Sequence, residues 1–108
     1  MGKLYTALGL MSGTSGDGVD ASIISSDGID KYIENLNKYF KYDQKIYENL
    51  HNLRGKILKI EDLKKNENEI NHLEKEITLF HAKIVDKILK TTDKEVDFIG
   101  FHGQTIYH

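Results

Sequence analysis

The sequence has no cysteine, no proline and no apolar run long enough to cross a membrane. Without cysteine there is no disulfide framework, no thiolate nucleophile and no cysteine-ligated metal. A transmembrane helix needs about 20 consecutive apolar residues, which no part of this chain supplies. The lack of cysteine also suits a reducing compartment, so we predict a cytoplasmic protein with no membrane partner.

An excess of positive charge is also missing, since 15 basic and 17 acidic side chains give a formal net charge of -2. A protein that binds a nucleic-acid backbone needs a basic field, so nucleic acid is excluded as the predicted partner. The length of 108 residues, with 39% apolar and 30% charged residues, is typical of one globular domain with a modest core.

Two apolar runs flank a loop of small residues near the start of the chain. The runs are 4–11 and 19–26, and the second is rich in valine and isoleucine. They predict two strands with the loop at the tip of a hairpin. Asp27 and Gly28 follow, and Asp-Gly after an extended run predicts a tight turn into a third strand.

The next segment, 29–41, carries a conflicting pattern. Its apolar residues recur at spacings of three and four, which by itself predicts a helix. A strand would place Tyr32, Leu36 and Phe40 on one face but would add Glu34 and Lys38 to it. Local sequence leaves both structures open. The apolar residues concerned are Ile29, Tyr32, Ile33, Leu36, Tyr39 and Phe40.

Helices are predicted in the middle of the chain. Asp43 can cap a short helix that ends near Arg54, with Gly55 as its left-handed stop. A longer apolar stripe predicts an amphipathic helix that packs on the sheet, and it is too short to favour a coiled coil. This stripe comprises Leu63, Ile70, Leu73, Ile77, Phe80, Ile84 and Ile88.

A last strand and several histidines complete the pattern. The run 96–101 predicts a short buried strand that leads into the sequence His102-Gly103-Gln104-Thr105. The other histidines lack the spacing of metal ligands, and we predict that they lie at the surface or on helix faces. They are His51, His72, His81 and His108.

Three glycine-loop chemistries fail on the small-residue loop. A P-loop requires a lysine that reaches the outer phosphates, and the loop has none. The sequence GDGVDA, 16–21, has dinucleotide-binding spacing, but strand-forming residues follow it where a helix should start. The G-x-S-x-G elbow of serine hydrolases is missed because Asp17 occupies the place of its second glycine.

A phosphate-binding hairpin fits both flanks of the loop. Glycines let phosphate oxygens approach the backbone N–H groups, and neighbouring hydroxyls add donors. Asp17 or Asp20 would then face a magnesium ion, commonly through water. The alternative is a flexible polar turn without a ligand. The glycines are Gly13, Gly16 and Gly18, and the hydroxyls belong to Ser12, Thr14 and Ser15.

The segments 11–15, 17–20 and 102–105 together resemble the anhydro-N-acetylmuramic acid kinase family, and the resemblance covers the whole chain. It implies an α/β, ribonuclease H-like partial domain of the actin, hexokinase and heat-shock ATPase superfamily. That domain starts with an antiparallel three-stranded meander, continues with helices and then adds a further strand, which favours a strand over 29–41. Residues 1–108 would be the N-terminal part of an ATP-binding sugar kinase domain, with the remainder and a second lobe absent.

The resemblance also implies an activity and its residues. ATP would phosphorylate anhydro-N-acetylmuramic acid while water opens its anhydro bridge, giving N-acetylmuramic acid 6-phosphate in cell-wall recycling. Asp17 would face Mg²⁺. His102 and Gln104 follow a predicted strand, at whose end ligand contacts usually gather, and would either contact the substrate or form a polar turn. The residues implied for the ATP phosphates are Gly13, Thr14, Ser15, Gly16, Asp17, Gly18, Val19 and Asp20.

Two departures from the family pattern limit what is expected of these 108 residues. Gly16 stands where the family usually has a larger side chain, which should loosen the loop. The catalytic aspartate of the family follows the position of Thr105 by a long interval, so no catalytic residue is assigned here and the isolated chain is expected to be inactive. The alternative is a product of a split or degraded gene, acting as a nucleotide-binding or assembly module. Its partner would be a second polypeptide that supplies the missing lobe; a homodimer of the family type is also compatible.

Overall fold

The computed structural model describes residues 3–93 and 95–104 and shows a mixed sheet with helices packed on one face. The strand order is β3-β2-β1-β4. This succession of meander, helices and further strand confirms the fold class that the resemblance implies. The elements are β1 (Tyr5–Ser12), β2 (Gly18–Ser26), β3 (Tyr32–Lys41), α1 (Gln44–Lys56), α2 (Glu61–Lys65), α3 (Glu67–Thr91) and β4 (Phe98–His102).

Strands β1 and β2 form the predicted antiparallel hairpin, with register pairs from Tyr5 and Ser26 to Ser12 and Val19. Alternate side chains of both strands are buried under the helices, as the period of two residues requires. This face of the sheet forms the core together with α1 and α3. Its strand residues are Leu8, Leu10, Val19, Ala21 and Ile23.

The segment 32–41 is strand β3, so the helix predicted from local spacing is wrong. β3 pairs with β2 throughout, but the register shifts by one residue beside Ile23 and Ile24. Ile33 and Leu36 therefore oppose Ser25 and Ile23, which lie on the same face of β2. The bulge thus accounts for the spacing of three residues between Ile33 and Leu36, which contributes to the helical pattern.

The turn before β3 depends on the Asp27 carboxylate. Its Oδ1 atom accepts hydrogen bonds from the backbone N–H groups of Ile29, Asp30 and Lys31 at 2.9, 3.1 and 3.0 Å. Gly28 has a φ of 78°, which favours glycine. The backbone hydrogen bonds, led by the one from Ile29, lower the pKa of Asp27 below its ordinary value of 3.8.

We expect Asp27→Asn to flatten the acid limb of the stability curve. Because the pKa of Asp27 is lowered by folding, its ionised form stabilises the fold above the unfolded-state value of 3.8. This contribution is lost as the pH falls through the lower folded-state pKa. Urea unfolding midpoints measured between about pH 6 and about pH 2.5 should fall less steeply in the variant. Asp93→Asn, in an exposed position, should retain the wild-type slope.

Helix α1 begins as predicted but ends later. The Asp43 side chain accepts a hydrogen bond from the Ile46 N–H at 2.9 Å, which confirms the cap. The predicted stop at Gly55 is wrong, because the helix continues through Lys56 and Gly55 has no positive φ. Ile57 ends the helix instead, and its side chain is buried in the core. Packing of this residue therefore overrides the glycine signal.

The apolar stripe lies on two helices, because the helical conformation is interrupted at Asn66 between α2 and α3. The Asn66 side-chain amide donates to the Asp62 carbonyl at 2.8 Å and ends the first helix. The predicted helix is thus confirmed over α3, and its expected start at Leu63 belongs to the separate α2. The buried members of the stripe are Leu73, Ile77, Ile84 and Ile88.

Strand β4 pairs in parallel with β1, with Ala7 opposite Phe98 and Met11 opposite His102. The prediction of a strand here is confirmed, but its predicted burial is wrong. Phe98, Ile99 and Phe101 are 59%, 43% and 64% exposed, because β4 lies at the edge of the sheet. Within 3–93 and 95–104, no helix combines the length and apolar character needed to cross a membrane.

Candidate functional site

Residues 13–17 form the hairpin tip, which joins the end of β1 to the start of β2. The Gly16 N–H donates to the Gly13 carbonyl at 3.3 Å and closes the turn. Gly16 has a φ of 72°, a conformation that favours glycine. Thr14 and Ser15 are exposed at the apex. The tip is therefore an ordered turn between strands, and no helix starts from it.

The glycines of this region face different surroundings. A Cβ on Gly16 would lie 2.8 Å from Arg54 Nη1 and 2.9 Å from Leu50 Cδ2. A Cβ on Gly18 would lie 2.4 Å from the Phe40 carbonyl oxygen, too close for any side chain. Gly18 is thus required by a backbone contact with β3, whereas at Gly16 the positive φ favours glycine and the crowding comes from side-chain ends that can move. Gly13 is exposed and leaves its surface open for a ligand.

The structure distributes the residues implied for phosphate binding over several environments. Val19 is fully buried in the core, so only its backbone could contact a ligand. Asp20 is exposed on the face of the sheet opposite the helices. The exposed residues of the tip are Gly13, Thr14, Ser15 and Asp17, and the buried glycines are Gly16 and Gly18.

The carboxylates of Asp17 and Asp20 both act electrostatically on the Tyr39 phenol. Desolvation raises the pKa of Tyr39 above its ordinary value of 10.0, and the two carboxylates raise it further. Asp17 also borders a concavity of about 540 Å³ beside the tip. The other residues lining it are Tyr39, Lys41, Tyr42, Gln44 and Tyr47.

A magnesium ion could be held here only with ligands from elsewhere. Among the residues that the structure describes, no three histidine or carboxylate side chains cluster as a metal site. Mg²⁺ usually takes one or two carboxylates and completes its shell with water and phosphate oxygens. The exposed Asp17 carboxylate fits this mode, with an incoming phosphate chain supplying further oxygens.

Gln104 joins the end of β4 to the hairpin tip. Its Nε2 atom donates to the Gly13 carbonyl at 2.8 Å, and its Oε1 atom accepts from the Tyr42 hydroxyl at 2.8 Å. Two motifs separated by 91 residues therefore meet at one site. The side chain of His102 and all of Thr105 lie outside the described part of the chain.

The positions of two histidines were not predicted from the sequence, one beside the tip and one beneath Ser12. His81 is 6% exposed, so of the two positions predicted for it the surface is wrong, and it lies on the buried face of α3. It follows Ile77 by four residues and precedes Ile84 by three, so the buried stripe contained a signal for it. His51 Nε2 lies 3.3 Å from the Gly16 carbonyl oxygen. No local pattern could have indicated this contact, because it joins α1 to the tip across 35 residues.

Comparisons with known proteins agree on one family. A family model described as Anhydro-N-acetylmuramic acid kinase matches residues 5–108. The proteins of that name from Pelagibacter ubique, Agrobacterium fabrum and Rhizobium etli are 61%, 33% and 34% identical to the chain. Each comparison covers 100% of the chain but only 29%, 30% and 30% of the respective relative. The chain thus spans less than a third of the length of these relatives.

Proposed function

Because the chain belongs to the anhydro-N-acetylmuramic acid kinase family, we propose that the whole protein uses ATP to phosphorylate anhydro-N-acetylmuramic acid with hydrolytic opening of its anhydro bridge. Water attacks the anomeric carbon and loses a proton to a general base, and the bond from that carbon to the bridge oxygen breaks. The bridge oxygen takes the γ-phosphoryl group, and ADP leaves. The product is N-acetylmuramic acid 6-phosphate, as expected for recycling of cell-wall sugars in the cytoplasm.

We propose that the hairpin tip binds the phosphates of ATP. The observation that carries this assignment is an exposed turn of Gly13, Thr14 and Ser15, closed by a hydrogen bond from Gly16 to Gly13, beside the exposed Asp17 carboxylate. Main-chain N–H groups and hydroxyls at such a turn can donate to phosphate oxygens. Mg²⁺, when bound, would neutralise charge on the phosphates, and Asp17 would hold it through water.

No residue of this chain is proposed as the base that activates water. The chain spans about 30% of its relatives, and the described carboxylates at the tip are already assigned to the phosphate side. We therefore propose that residues 1–108 by themselves do not turn over the sugar. A coupled assay for ADP release that detects sugar-dependent turnover by these residues alone would contradict the proposal.

We expect Asp17→Asn to weaken binding of ATP in the presence of Mg²⁺ by about tenfold or more, since an outer-shell ligand of the metal is lost. Isothermal titration calorimetry on the full-length protein, with and without Mg²⁺, measures the effect. Without Mg²⁺ the variant should bind ATP at least as well as the wild type, because a negative charge near the phosphates is removed.

Asp20→Asn and Asp30→Asn are the controls, because each removes one carboxylate at another position of the sheet or its turns. Asp20 lies on the opposite face of the sheet from the helices, so its substitution should weaken ATP binding less than that of Asp17. Asp30 lies at the far end of the β2–β3 hairpin and should leave binding unchanged. Equal Mg²⁺ dependence in the wild type and in Asp17→Asn would refute the assignment of Asp17.

A further inference from the structure

We propose that Tyr42 and Gln104 form a clamp that fixes the hairpin tip, and that they are positioning residues for the phosphate-binding backbone. The clamp is defined as the Tyr42 backbone N–H, the Tyr42 hydroxyl and the Gln104 side-chain amide. Its role toward a nucleotide rests on the proposed function. Its effect on the tip rests on the contacts alone.

The clamp contacts both ends of the tip. The Tyr42 N–H donates to the Asp17 carbonyl at 2.9 Å, where the tip runs into β2. The Tyr42 hydroxyl lies 3.2 Å from Ser12 Oγ, at the end of β1. Gln104 bridges the Tyr42 hydroxyl to the Gly13 carbonyl, with 2.8 Å at each end. One tyrosine and one glutamine therefore hold residues on each side of the exposed apex.

The donors and acceptors of the clamp allow one orientation. A carbonyl can only accept, so the amide nitrogen of Gln104 must face Gly13 and its oxygen must face Tyr42. The Tyr42 hydroxyl must then donate its single hydrogen to Gln104, so its oxygen can only accept at the 3.2 Å contact with Ser12 Oγ. Burial, opposed by the Ser12 hydrogen bond, raises the pKa of Tyr42 above its ordinary value of 10.0, so the phenol keeps its proton at neutral pH.

The clamp is anchored in the core through Ser12 and His81. Ser12 is fully buried, and its Oγ atom lies 3.1 Å from His81 Nε2. Because the Ile77 carbonyl can only accept, His81 Nδ1 carries the hydrogen of their 2.8 Å contact. The Tyr42 ring also packs edge-on against Phe80, with 5.1 Å between ring centroids. The tip is thus connected to α3 by a continuous chain of contacts.

Both ends of the Gln104 amide have protein partners, which favours a positioning role over the substrate contact considered from sequence. A turn that must present N–H groups to phosphate oxygens gains affinity when its conformation is fixed before the ligand arrives. The clamp supplies this restraint for a tip whose apex is exposed.

Amide exchange tests the clamp without a nucleotide. We expect Tyr42→Phe and Gln104→Ala to speed exchange of the Gly16 and Tyr42 amides by about fivefold or more, measured by NMR on the full-length protein. Amides in the middle of α1 and β2 should be unaffected. Tyr32→Phe removes a hydroxyl from an exposed tyrosine in β3 and serves as the matched control. The double variant should raise the exchange rates only slightly more than the stronger single variant does, because both residues act in one unit.

Affinity for ATP with Mg²⁺ tests the positioning role. We expect a loss of about fivefold or more in Tyr42→Phe and in Gln104→Glu, which keeps an acceptor for Tyr42 but loses the donor to Gly13. Unchanged amide exchange in Tyr42→Phe and Gln104→Ala refutes the proposal that the clamp fixes the tip, independently of the measured ATP affinity. Faster exchange with unchanged affinity overturns the positioning role. If the wild type binds no ATP, the proposed function is refuted. The exchange rates still show whether the clamp fixes the tip.

Discussion

Replacing His81 by alanine is expected to lower the free energy of unfolding by about 2–4 kcal/mol. The imidazole is 6% exposed and joins the Ile77 carbonyl to the Ser12 hydroxyl at 2.8 and 3.1 Å. Its ring also lies edge-on to Phe101, with 6.0 Å between centroids. The substitution removes two hydrogen bonds from a buried site and leaves a cavity. Urea unfolding of the full-length protein measures the change.

Two further variants separate the causes of this loss. His81→Phe keeps a ring in the site but removes both hydrogen bonds, so it should retain part of the stability that alanine loses. His72→Ala changes an exposed histidine on the same helix and should stay within about 0.5 kcal/mol of the wild type. Equal stability of the His81→Ala and His72→Ala variants would show that the buried contacts of His81 contribute nothing.

Replacing Gly18 by alanine is expected to lower the free energy of unfolding by about 1–3 kcal/mol. The added Cβ would meet the Phe40 carbonyl oxygen at 2.4 Å and the Tyr39 hydroxyl at 2.7 Å. Tyr39 can rotate away, but the Phe40 carbonyl belongs to the backbone of β3. The pairing of β2 with β3 must therefore open locally at the edge of the hairpin tip.

Gly9→Ala is the matched control for this clash. Gly9 lies in β1 of the same sheet, and a Cβ there would meet no atom within 4 Å. We expect this variant to match or exceed the wild type in its urea midpoint, because alanine has less backbone freedom in the unfolded chain. If Gly18→Ala had the same urea midpoint as Gly9→Ala, the backbone of β3 would be able to move away without loss of stability.

Features with local causes were predictable from the sequence. The apolar runs 4–11 and 19–26 predicted β1 and β2, and Asp27 with Gly28 predicted the turn before β3. Asp43 determined the start of α1 through a hydrogen bond that spans three residues. The small residues of the hairpin tip also marked the candidate site, since glycines and hydroxyls at a turn can present donors to phosphate oxygens.

Only the tertiary structure decided how these elements fit together. The bulge between β2 and β3 follows from the pairing of two strands, so the spacing within 32–41 indicated a helix that does not form. Likewise, Gly55 predicts the end of a helix from local sequence, but the burial of Ile57 outweighs this preference and the helix continues to Lys56.

The clamp has the same kind of origin. Its contacts join residues that are 30, 62 and 91 positions apart, from Tyr42 to Ser12, from Tyr42 to Gln104 and from Gln104 to Gly13. Local sequence determines dihedral preferences and the periodicity of burial, which reach over a few residues. Hydrogen bonds between distant side chains depend on how whole strands and helices pack, and no pattern along the chain encodes that packing directly.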